Sequence, residues 1–386
     1  MQSSIPVSTS SQPARLSLFS DGKVFLLCEG EFARYRGSAQ PQHLQAWLDD
    51  AFKRAQESGV EAPLVMGCLP FRHTDKASLH IPLKVRRFSK SQLVQLLKSD
   101  LVKPVEATQA LAWQEVPTKQ HFEQAVSNAV YQLQHTALDK VVLSRTLQAA
   151  LDVPLCAWSM LLQLIEQNPH AYHFVMQDDL NTHWVGASPE LLLEKRGAQV
   201  CSNPLAGTAK RVLEPQHDQA IAAQLLNSLK DNHEHAIVIE QVKAALGPYC
   251  CALEVPAAPS LISTPQLWHL SSRIAGQLES EQIRLPEVLA RLHPTPAVCG
   301  TPTNLARTTI EQLEPFEREH FTGTVGWMDS QGNGQWAVTI RCAKVEADKV
   351  TLFAGAGVVA QSDPSAEYLE TQAKLGTMLR VLEGAR

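Results

Sequence analysis

Three ionisable residues near the carboxyl end of the chain are spaced so that they could act together. Glu367, Glu370 and Lys374 stand at positions i, i+3 and i+7, which share one face of an α-helix. Two carboxylates beside an ammonium group could hold a divalent cation together with an anionic ligand. On an isolated helix this spacing is more often a solvated face with a Glu370–Lys374 ion pair, so other residues must decide between the two interpretations.

Lys140 and Glu190 are candidates for moving protons. Lys140 begins a strand-like apolar run, where a lysine is ordinarily a surface residue. If it is instead buried near carboxylates, desolvation would let it serve as a general base. Glu190 follows Gly-Ala-Ser-Pro and precedes three leucines, so it is either a charge on an edge strand or, if the fold encloses it, a protonated general acid.

Glu234 and Arg341 are candidates for holding a cation and an anion. Glu234 lies between two histidines on a predicted helix, and His233 and His235 point to different faces, which argues against a zinc site that uses both. Glu234 with carboxylates from elsewhere would suit Mg²⁺, and a polar helix surface is the alternative. Arg341 lies in a predicted strand among apolar residues, and if buried it needs an internal carboxylate or an anionic ligand as its partner.

Many strands with helices inserted between them, without a regular βαβ rhythm, must position these side chains. This pattern predicts an α+β layered domain. Periodicity predicts helices at 42–58, after Thr118, at 157–167 and at about 213–247, and a last helix that Asp363 and Pro364 begin and Gly384 ends. Apolar runs predict strands within 17–38 and at 64–71, 140–145, 172–176, 184–193, 200–208, 267–269, 323–328, 336–345 and 350–353.

Two further stretches are predicted to be irregular. Residues 72–117 carry scattered prolines and are interpreted as a connection. Gly355-Ala-Gly357 is interpreted as a turn after a short strand; it is not a dinucleotide-binding motif, but backbone N–H groups at such a turn could hold a carboxylate.

Composition excludes several classes of partner. The net charge is −5 and no basic block or basic–aromatic stripe occurs, which disfavours nucleic acid or an anionic membrane as a partner. No apolar run approaches membrane-spanning length, and the eight cysteines form no Cys-x-x-Cys pair, so reduced thiols in a cytoplasmic protein are expected.

Nine segments, in this order along the chain, resemble the chorismate-utilising enzymes (anthranilate synthase component I-like), and most closely the isochorismate synthases. They span about residues 118–380 and are Asp139–Arg145, Gly186–Leu193, Pro204–Thr208, His233–His235, Thr264–His269, Leu292–Ala297, Phe321–Gly326, Thr339–Ala343 and Phe353–Lys374. Residues 1–15 are rich in Ser, Gln and Pro and are predicted to be a flexible N-terminus. The resemblance implies one large layered domain at 16–386, built of mostly antiparallel sheets with flanking helices.

The resemblance also implies a role for each candidate residue. Glu234 and Glu370 would bind Mg²⁺, with Glu367 acting through a bound water, and the metal would hold the ring carboxylate of chorismate. Lys140 would activate water for attack at C2, and Glu190 would protonate the departing C4 hydroxyl. The residues that would hold the enolpyruvyl carboxylate or line the pocket are Arg341, Gly355, Lys374, Gly207, Thr208, Ala297 and His269.

The implied activity is that of a Mg²⁺-dependent isochorismate synthase of the catecholate-siderophore branch, which feeds 2,3-dihydroxybenzoate synthesis and acts as a monomer. Lys140 separates the chain from relatives that use ammonia, such as anthranilate synthase. A salicylate synthase, which also eliminates pyruvate, and a chorismate-binding module without turnover are the alternatives. One departure from close relatives is Ala236, where they can carry a second acid, and this departure bears on metal affinity.

Overall fold

The computed structural model describes residues 15–101, 112–179 and 182–384. The segment predicted to be a flexible N-terminus, 1–15, lies outside the described residues except for Arg15. The α-helices of the described residues are α1 Pro41–Glu57, α2 Lys90–Leu96, α3 Lys119–His135, α4 Ala157–Gln167, α5 Pro215–Asn227, α6 Leu229–Leu246, α7 Leu285–Leu292, α8 Thr303–Leu313 and α9 Pro364–Gly384.

The strands form three antiparallel sheets. They are β1 Leu16–Ser20, β2 Phe25–Glu29, β3 Ala33–Tyr35, β4 Leu64–Leu69, β5 Ser78–Ile81, β6 Lys84–Phe88, β7 Gln114–Val116, β8 Lys140–Ala150, β9 Tyr172–Asp179, β10 Thr182–Ser188, β11 Leu191–Arg196, β12 Gln199–Asn203, β13 Leu205–Lys210, β14 Cys250–Glu254, β15 Ser260–Ser263, β16 Leu267–Ser271, β17 Ile274–Leu278, β18 Gly300–Thr301, β19 Thr324–Asp329, β20 Gly334–Val338, β21 Cys342–Val345 and β22 Lys349–Val358. The first sheet has the order β18-β8-β22-β21-β10-β9-β1-β2-β6 with β7 on β8; the second runs β14-β17-β12-β11-β20-β19-β4-β5-β3; the third is β13-β16-β15.

The two large sheets pack face to face with helices on both outer sides. Phe19, Phe174 and Trp184 of the first sheet share one apolar core with Met66 and Val325 of the second. Helices α1, α6 and α7 cover the outer face of the second sheet, and α4 and α9 cover that of the first. This layering confirms the predicted α+β architecture, since each sheet buries both of its faces.

Helix caps fix where several predicted helices begin. The Thr118 side chain accepts a hydrogen bond from the His121 N–H at the start of α3, and Asp363 accepts one from the Ala366 N–H at the start of α9 at 2.8 Å. These side chains satisfy amide groups that lack a partner in the first turn. The predicted bounds of α9, Pro364 and Gly384, are confirmed.

The interpretation of residues 72–117 as irregular was wrong. The described part of this stretch contains β5, β6, β7 and α2. Strand β6 is the edge of the first sheet and is half exposed, so it lacks the apolar run that reveals a buried strand. Helix α2 has only seven residues, too few for periodicity, although its Ser89–Gln92 capping box was a usable signal.

Three other predictions need correction. The helix predicted at 213–247 is two helices, because Ser228 has an extended backbone and its side chain caps α6. The strand predicted at 336–345 is interrupted before Cys342, and Arg341 has a φ of +50°. Gly355 and Gly357 are not in a turn but inside β22, opposite Ser144 and Val142 of β8.

Two general expectations can be compared with the described residues. No helix in the described part of the chain is both long and apolar enough to cross a membrane. All eight cysteines are free thiols, and Cys251 is the exposed one among them.

Candidate functional site

A cleft between α6, α9, the third sheet and the end of the first sheet collects most of the candidate residues. The candidates that line it are Glu190, Gly207, Thr208, Glu234, His269, Ala297, Arg341, Gly355, Glu370 and Lys374. The two others, Lys140 and Glu367, lie behind this lining, and each forms an ion pair there. Residues spread over most of the chain therefore converge on one site.

Lys140 is completely buried at the base of the cleft. Its Nζ lies 2.9 Å from Oε1 of Glu234, which comes from α6. A Cβ added to Gly357 would lie 2.5 Å from that same oxygen and 3.1 Å from Lys140 Cε. The glycine in β22 therefore allows the pair to pack against the strand. Burial alone would raise the pKa of Glu234, but the ammonium groups of Lys140, Lys374 and Lys230 together outweigh it and the pKa is lowered.

Glu190 is buried between β10 and β11 and is held by its backbone. Its N–H donates to Ser188 Oγ at 3.2 Å, and its carbonyl accepts from the Val338 N–H at 3.1 Å. Burial raises the pKa of the carboxyl group to about 7, although a hydrogen bond from the Leu205 backbone and the charge of Lys140 oppose the rise. Near neutral pH the group can therefore hold a proton and give it up.

Arg341 reaches the cleft from the break between β20 and β21. Its φ of +50° is uncommon for a residue with a side chain and costs roughly 1–2 kcal/mol. Burial lowers the pKa of the guanidinium to about 10, so it stays charged at neutral pH. The Arg341 guanidinium donates to His269 Nε2 at 3.3 Å.

His269 links Arg341 to the third sheet. Burial lowers the pKa of the imidazole well below its usual range, so the ring is neutral. Since Nε2 accepts from Arg341, the proton belongs on Nδ1, which lies 3.2 Å from Thr208 Oγ1 and 3.3 Å from the Gly207 carbonyl oxygen. These contacts arrange a cation and polar groups along one wall of the cleft.

Helix α9 contributes two ion pairs, one at the cleft lining and one behind it. Lys374 Nζ lies 2.6 Å from Glu370 Oε1 and donates to the Gly355 carbonyl oxygen at 2.8 Å. Glu367 is 1% exposed and pairs with Lys230 Nζ at 2.9 Å. The helical spacing of these three α9 residues therefore directs them to the interior rather than to solvent.

Asp231 belongs to the same carboxylate group and was not among the sequence candidates. A Cβ added to Gly207 would lie 3.0 Å from Asp231 Cβ. Burial, and then the charges of Glu234 and Glu370, raise its pKa. Its position three residues before Glu234 on α6 was the available signal, because i and i+3 share a helix face.

The donor chemistry of this carboxylate group fits Mg²⁺. Asp231, Glu234, Glu367 and Glu370 offer the hard oxygen atoms that Mg²⁺ prefers. Burial, followed by the charge of Glu370, raises the pKa of Glu367, and a divalent cation would relieve that repulsion. Among the residues described, no three acidic, His or Cys side chains are already grouped as a ligand set.

Position 236 lies away from this carboxylate group. Ala236 is exposed on α6, whereas the neighbouring His235 is buried and its Nε2 lies 2.8 Å from Ser272 Oγ. An acid at position 236 would therefore stand on the outer surface of the helix.

The chain is similar to known proteins over most of its length. The chain is 42% identical over 380 residues to isochorismate synthase DhbC of Bacillus subtilis (strain 168), covering 96% of this chain and 94% of that protein. It is 40% identical to isochorismate synthase EntC of Escherichia coli (strain K12), over 91% of this chain and 90% of the relative.

A solved structure extends the similarity to the fold. It is that of a Bacillus anthracis protein assigned as the 2,3-dihydroxybenzoate-specific isochorismate synthase DhbC, with a TM-score of 0.87 and 38% identity over 96% of both chains. The profile of the family described as chorismate binding enzymes matches residues 73–383, which contain every candidate residue of the cleft. The chain belongs to the chorismate binding enzyme family.

Proposed function

We propose that this protein is a Mg²⁺-dependent isochorismate synthase, an isomerase that converts chorismate to isochorismate. The observation that carries the proposal is a buried lysine, Lys140, behind the lining of a cleft that also contains a buried carboxyl group, Glu190, whose pKa is raised to about 7. Water must be added at C2 of the ring while hydroxide leaves C4, and this exchange needs a base and an acid together. The relatives named isochorismate synthases support the same activity.

Lys140 and Glu190 would each carry out one of the two proton transfers. Lys140 Nζ would accept a proton from the attacking water, which requires its ammonium form to lose a proton first. Glu190, in its protonated form, would donate a proton to the departing C4 oxygen. Each transfer typically accelerates a reaction by about 10²–10⁴-fold, because neither a free hydroxide ion nor a free oxyanion has to form.

The substrate is a dicarboxylate, and the cleft offers two places for negative charge. Arg341 suits a two-point contact with the enolpyruvyl carboxylate, and the backbone at Gly355, which also lines the cleft, would assist it. Lys374, Thr208, His269, Gly207 and Ala297 complete the wall. Held in this way, the ring would stay fixed between the base and the acid.

The carboxylates would hold the metal near the ring carboxylate of the substrate. Glu234 and Glu370 are the proposed direct ligands of Mg²⁺, with Glu367 bound through a water. When bound, Mg²⁺ supplies a positive charge that anchors the ring carboxylate.

The product is proposed to enter the synthesis of 2,3-dihydroxybenzoate for a siderophore. The support is the similarity to the Bacillus anthracis protein assigned as specific for 2,3-dihydroxybenzoate. A cytoplasmic monomer that needs no nucleic acid or membrane partner completes the proposal.

A product assay tests the proposal against its alternatives. The purified protein is incubated with chorismate in Mg²⁺ and, separately, in EDTA, and the products are separated by chromatography. We expect isochorismate in Mg²⁺ and none in EDTA. Stoichiometric pyruvate and salicylate would instead identify a salicylate synthase, and calorimetric binding of chorismate without product would identify a binding module.

A further inference from the structure

Each of the three predicted metal ligands is paired with a lysine. Lys140 pairs with Glu234 at 2.9 Å, Lys374 with Glu370 at 2.6 Å and Lys230 with Glu367 at 2.9 Å. Lys140 and Lys374 already have proposed roles toward substrate. Lys230 has none, so its position beside a proposed metal ligand needs its own explanation.

Lys230 differs from the other two lysines in its access to water. Its side chain is 39% exposed, whereas that of Lys140 is completely buried and that of Lys374 is 15% exposed. Lys230 lies in the first turn of α6, four residues before Glu234. Its ammonium group therefore reaches inward from the surface, and rotation about its flexible stem could return it to solvent.

Glu367 is a buried carboxylate, so a cation beside it is strongly favourable. It is 1% exposed and the charge of Glu370 acts on it, so an unpaired carboxylate here would be costly. The Lys230 ammonium neutralises this carboxylate by donating to Glu367 Oε1. A divalent cation with its water shell would neutralise the same carboxylate. The two cations would repel each other if both were close to it.

We propose that Lys230 competes with the divalent cation for Glu367 and thereby weakens metal binding to the substrate-free cleft. This inference rests on the proposed metal site. Binding of the metal would release the Lys230 side chain toward solvent, and loss of the metal would let it return to the buried carboxylate. Lys230 is thus a positioning residue that acts through Glu367 and does not touch the reacting atoms.

Direct metal titration without substrate tests the competition. Mg²⁺ binding is measured by calorimetry, and Mn²⁺ binding by electron paramagnetic resonance, for the unsubstituted protein and the Lys230→Gln variant. We expect the variant to bind both ions about ten-fold more tightly, because one nearby positive charge and one competing ion pair are removed. The Lys230→Arg variant keeps the cation and should stay close to the unsubstituted protein.

A matched control comes from the same helix. Lys243 is near the other end of α6 and forms an exposed pair with Glu240, so Lys243→Gln removes the same charge away from the cleft. Its metal affinity should be unchanged. Circular dichroism and thermal melting of every variant verify that the fold is kept.

A double-mutant cycle separates competition for Glu367 from a general effect of charge. In a Glu367→Gln background, Lys230→Gln should tighten metal binding by much less than in the unsubstituted protein, because the competing ion pair is already absent and only the effect of the positive charge remains. Unchanged or weaker metal affinity of Lys230→Gln, or an equal gain in both backgrounds, would overturn the inference. Because these titrations use no chorismate, their result is independent of the product assay, so a failure of the proposed activity can be told apart from a failure of the competition.

Discussion

Glu190 is a carboxyl group whose protonation is controlled by the fold. Its side chain is 3% exposed, and burial disfavours the ionised form more than the nearby positive charges favour it. The sequence left two interpretations for this residue, an edge-strand charge or an enclosed acid. The enclosure between β10 and β11 agrees with the second, which is also the state in which a carboxyl group can donate a proton.

The pH dependence of the reaction follows from this environment. Since burial raises the pKa of Glu190 to about 7, the protonated acid predominates below that pH and is lost above it. We therefore expect kcat/KM to fall about ten-fold for each pH unit on the alkaline side. Steady-state rates in Mg²⁺ between pH 6 and 9 measure this limb. In Glu190→Gln the rate should be low and the limb absent; an unchanged alkaline limb would assign it to another group.

Lys140 is the second residue at which burial decides the role. A lysine that begins a strand is ordinarily at the surface, but Lys140 is completely buried and paired with Glu234. If it is the base, Lys140→Ala should lower kcat by about 10²–10⁴-fold, while chorismate still binds because Arg341 and Lys374 remain. Product formation and calorimetric binding measure the two effects. Turnover close to that of the unsubstituted enzyme would refute the assignment.

At the scale of elements, β22 determines how closely α6 can approach the first sheet. Gly357 faces the Lys140–Glu234 pair, and the next residue on the same face, Gly355, accepts a hydrogen bond from Lys374. Both glycines are inside a paired strand, so their use is close packing rather than an unusual backbone conformation. The strand therefore positions side chains that come from α6, α9 and β8.

A methyl group at Gly357 should disturb the cleft. In Gly357→Ala the new Cβ would come within 2.5 Å of Glu234 Oε1, so the carboxylate must move and we expect about a 10- to 100-fold loss of kcat/KM with weaker Mg²⁺ binding. Gly376→Ala is the matched control: a Cβ there meets nothing within 4 Å, and alanine favours the helix by up to about 1 kcal/mol. Full activity of Gly357→Ala would show that the close packing of Gly357 against Glu234 is not required for catalysis.

How much of these elements could be predicted depends on how local their signals are. Helices α3, α4 and α9 have caps or an apolar periodicity within their own residues, and their predictions agree with the structure. The left-handed backbone of Arg341 has no local signal such as glycine, and the strand conformation of Gly355 and Gly357 depends on pairing with β8. These features are fixed by tertiary contacts, so periodicity could not reveal them.

At the scale of the whole molecule, the site exists only because distant strands pair. Strands β8 and β22 pair although about half the chain separates them in sequence. Helices α6 and α9 also contribute side chains to the cleft. Apolar patterns predicted many of these strands but not their order in the sheets, because register depends on partners far away in sequence. The candidate residues could be collected from the sequence through family resemblance. Asp231 had only its helical spacing from Glu234 as a signal, and the pairing of Lys230 with Glu367 required the packed structure.

The assembled cleft has balanced formal charges. Its carboxylates are Asp231, Glu234, Glu367 and Glu370, and its cations are Lys140, Lys230, Lys374 and Arg341, with Glu190 able to stay neutral. Mg²⁺ alone would leave two excess positive charges, or one if Lys230 moves to solvent, and the chorismate dianion alone would leave two excess negative charges. Binding both restores the balance to within one charge, and burying unbalanced charge is unfavourable.

Metal and substrate should therefore bind cooperatively. We expect Mg²⁺ to strengthen chorismate binding by at least about ten-fold, and chorismate to strengthen Mg²⁺ binding by the same factor, because coupling between two sites is reciprocal. Calorimetric titration of the Glu190→Gln variant, in which turnover should be low and the formal charges of the cleft are kept, measures the effect of Mg²⁺ on chorismate affinity and of chorismate on Mg²⁺ affinity. Repeating the titrations in the Arg341→Ala variant removes a cation from the substrate end and should lower chorismate affinity with and without metal. Equal chorismate affinity in Mg²⁺ and in EDTA would show that the carboxylate group does not hold a metal that contacts the substrate.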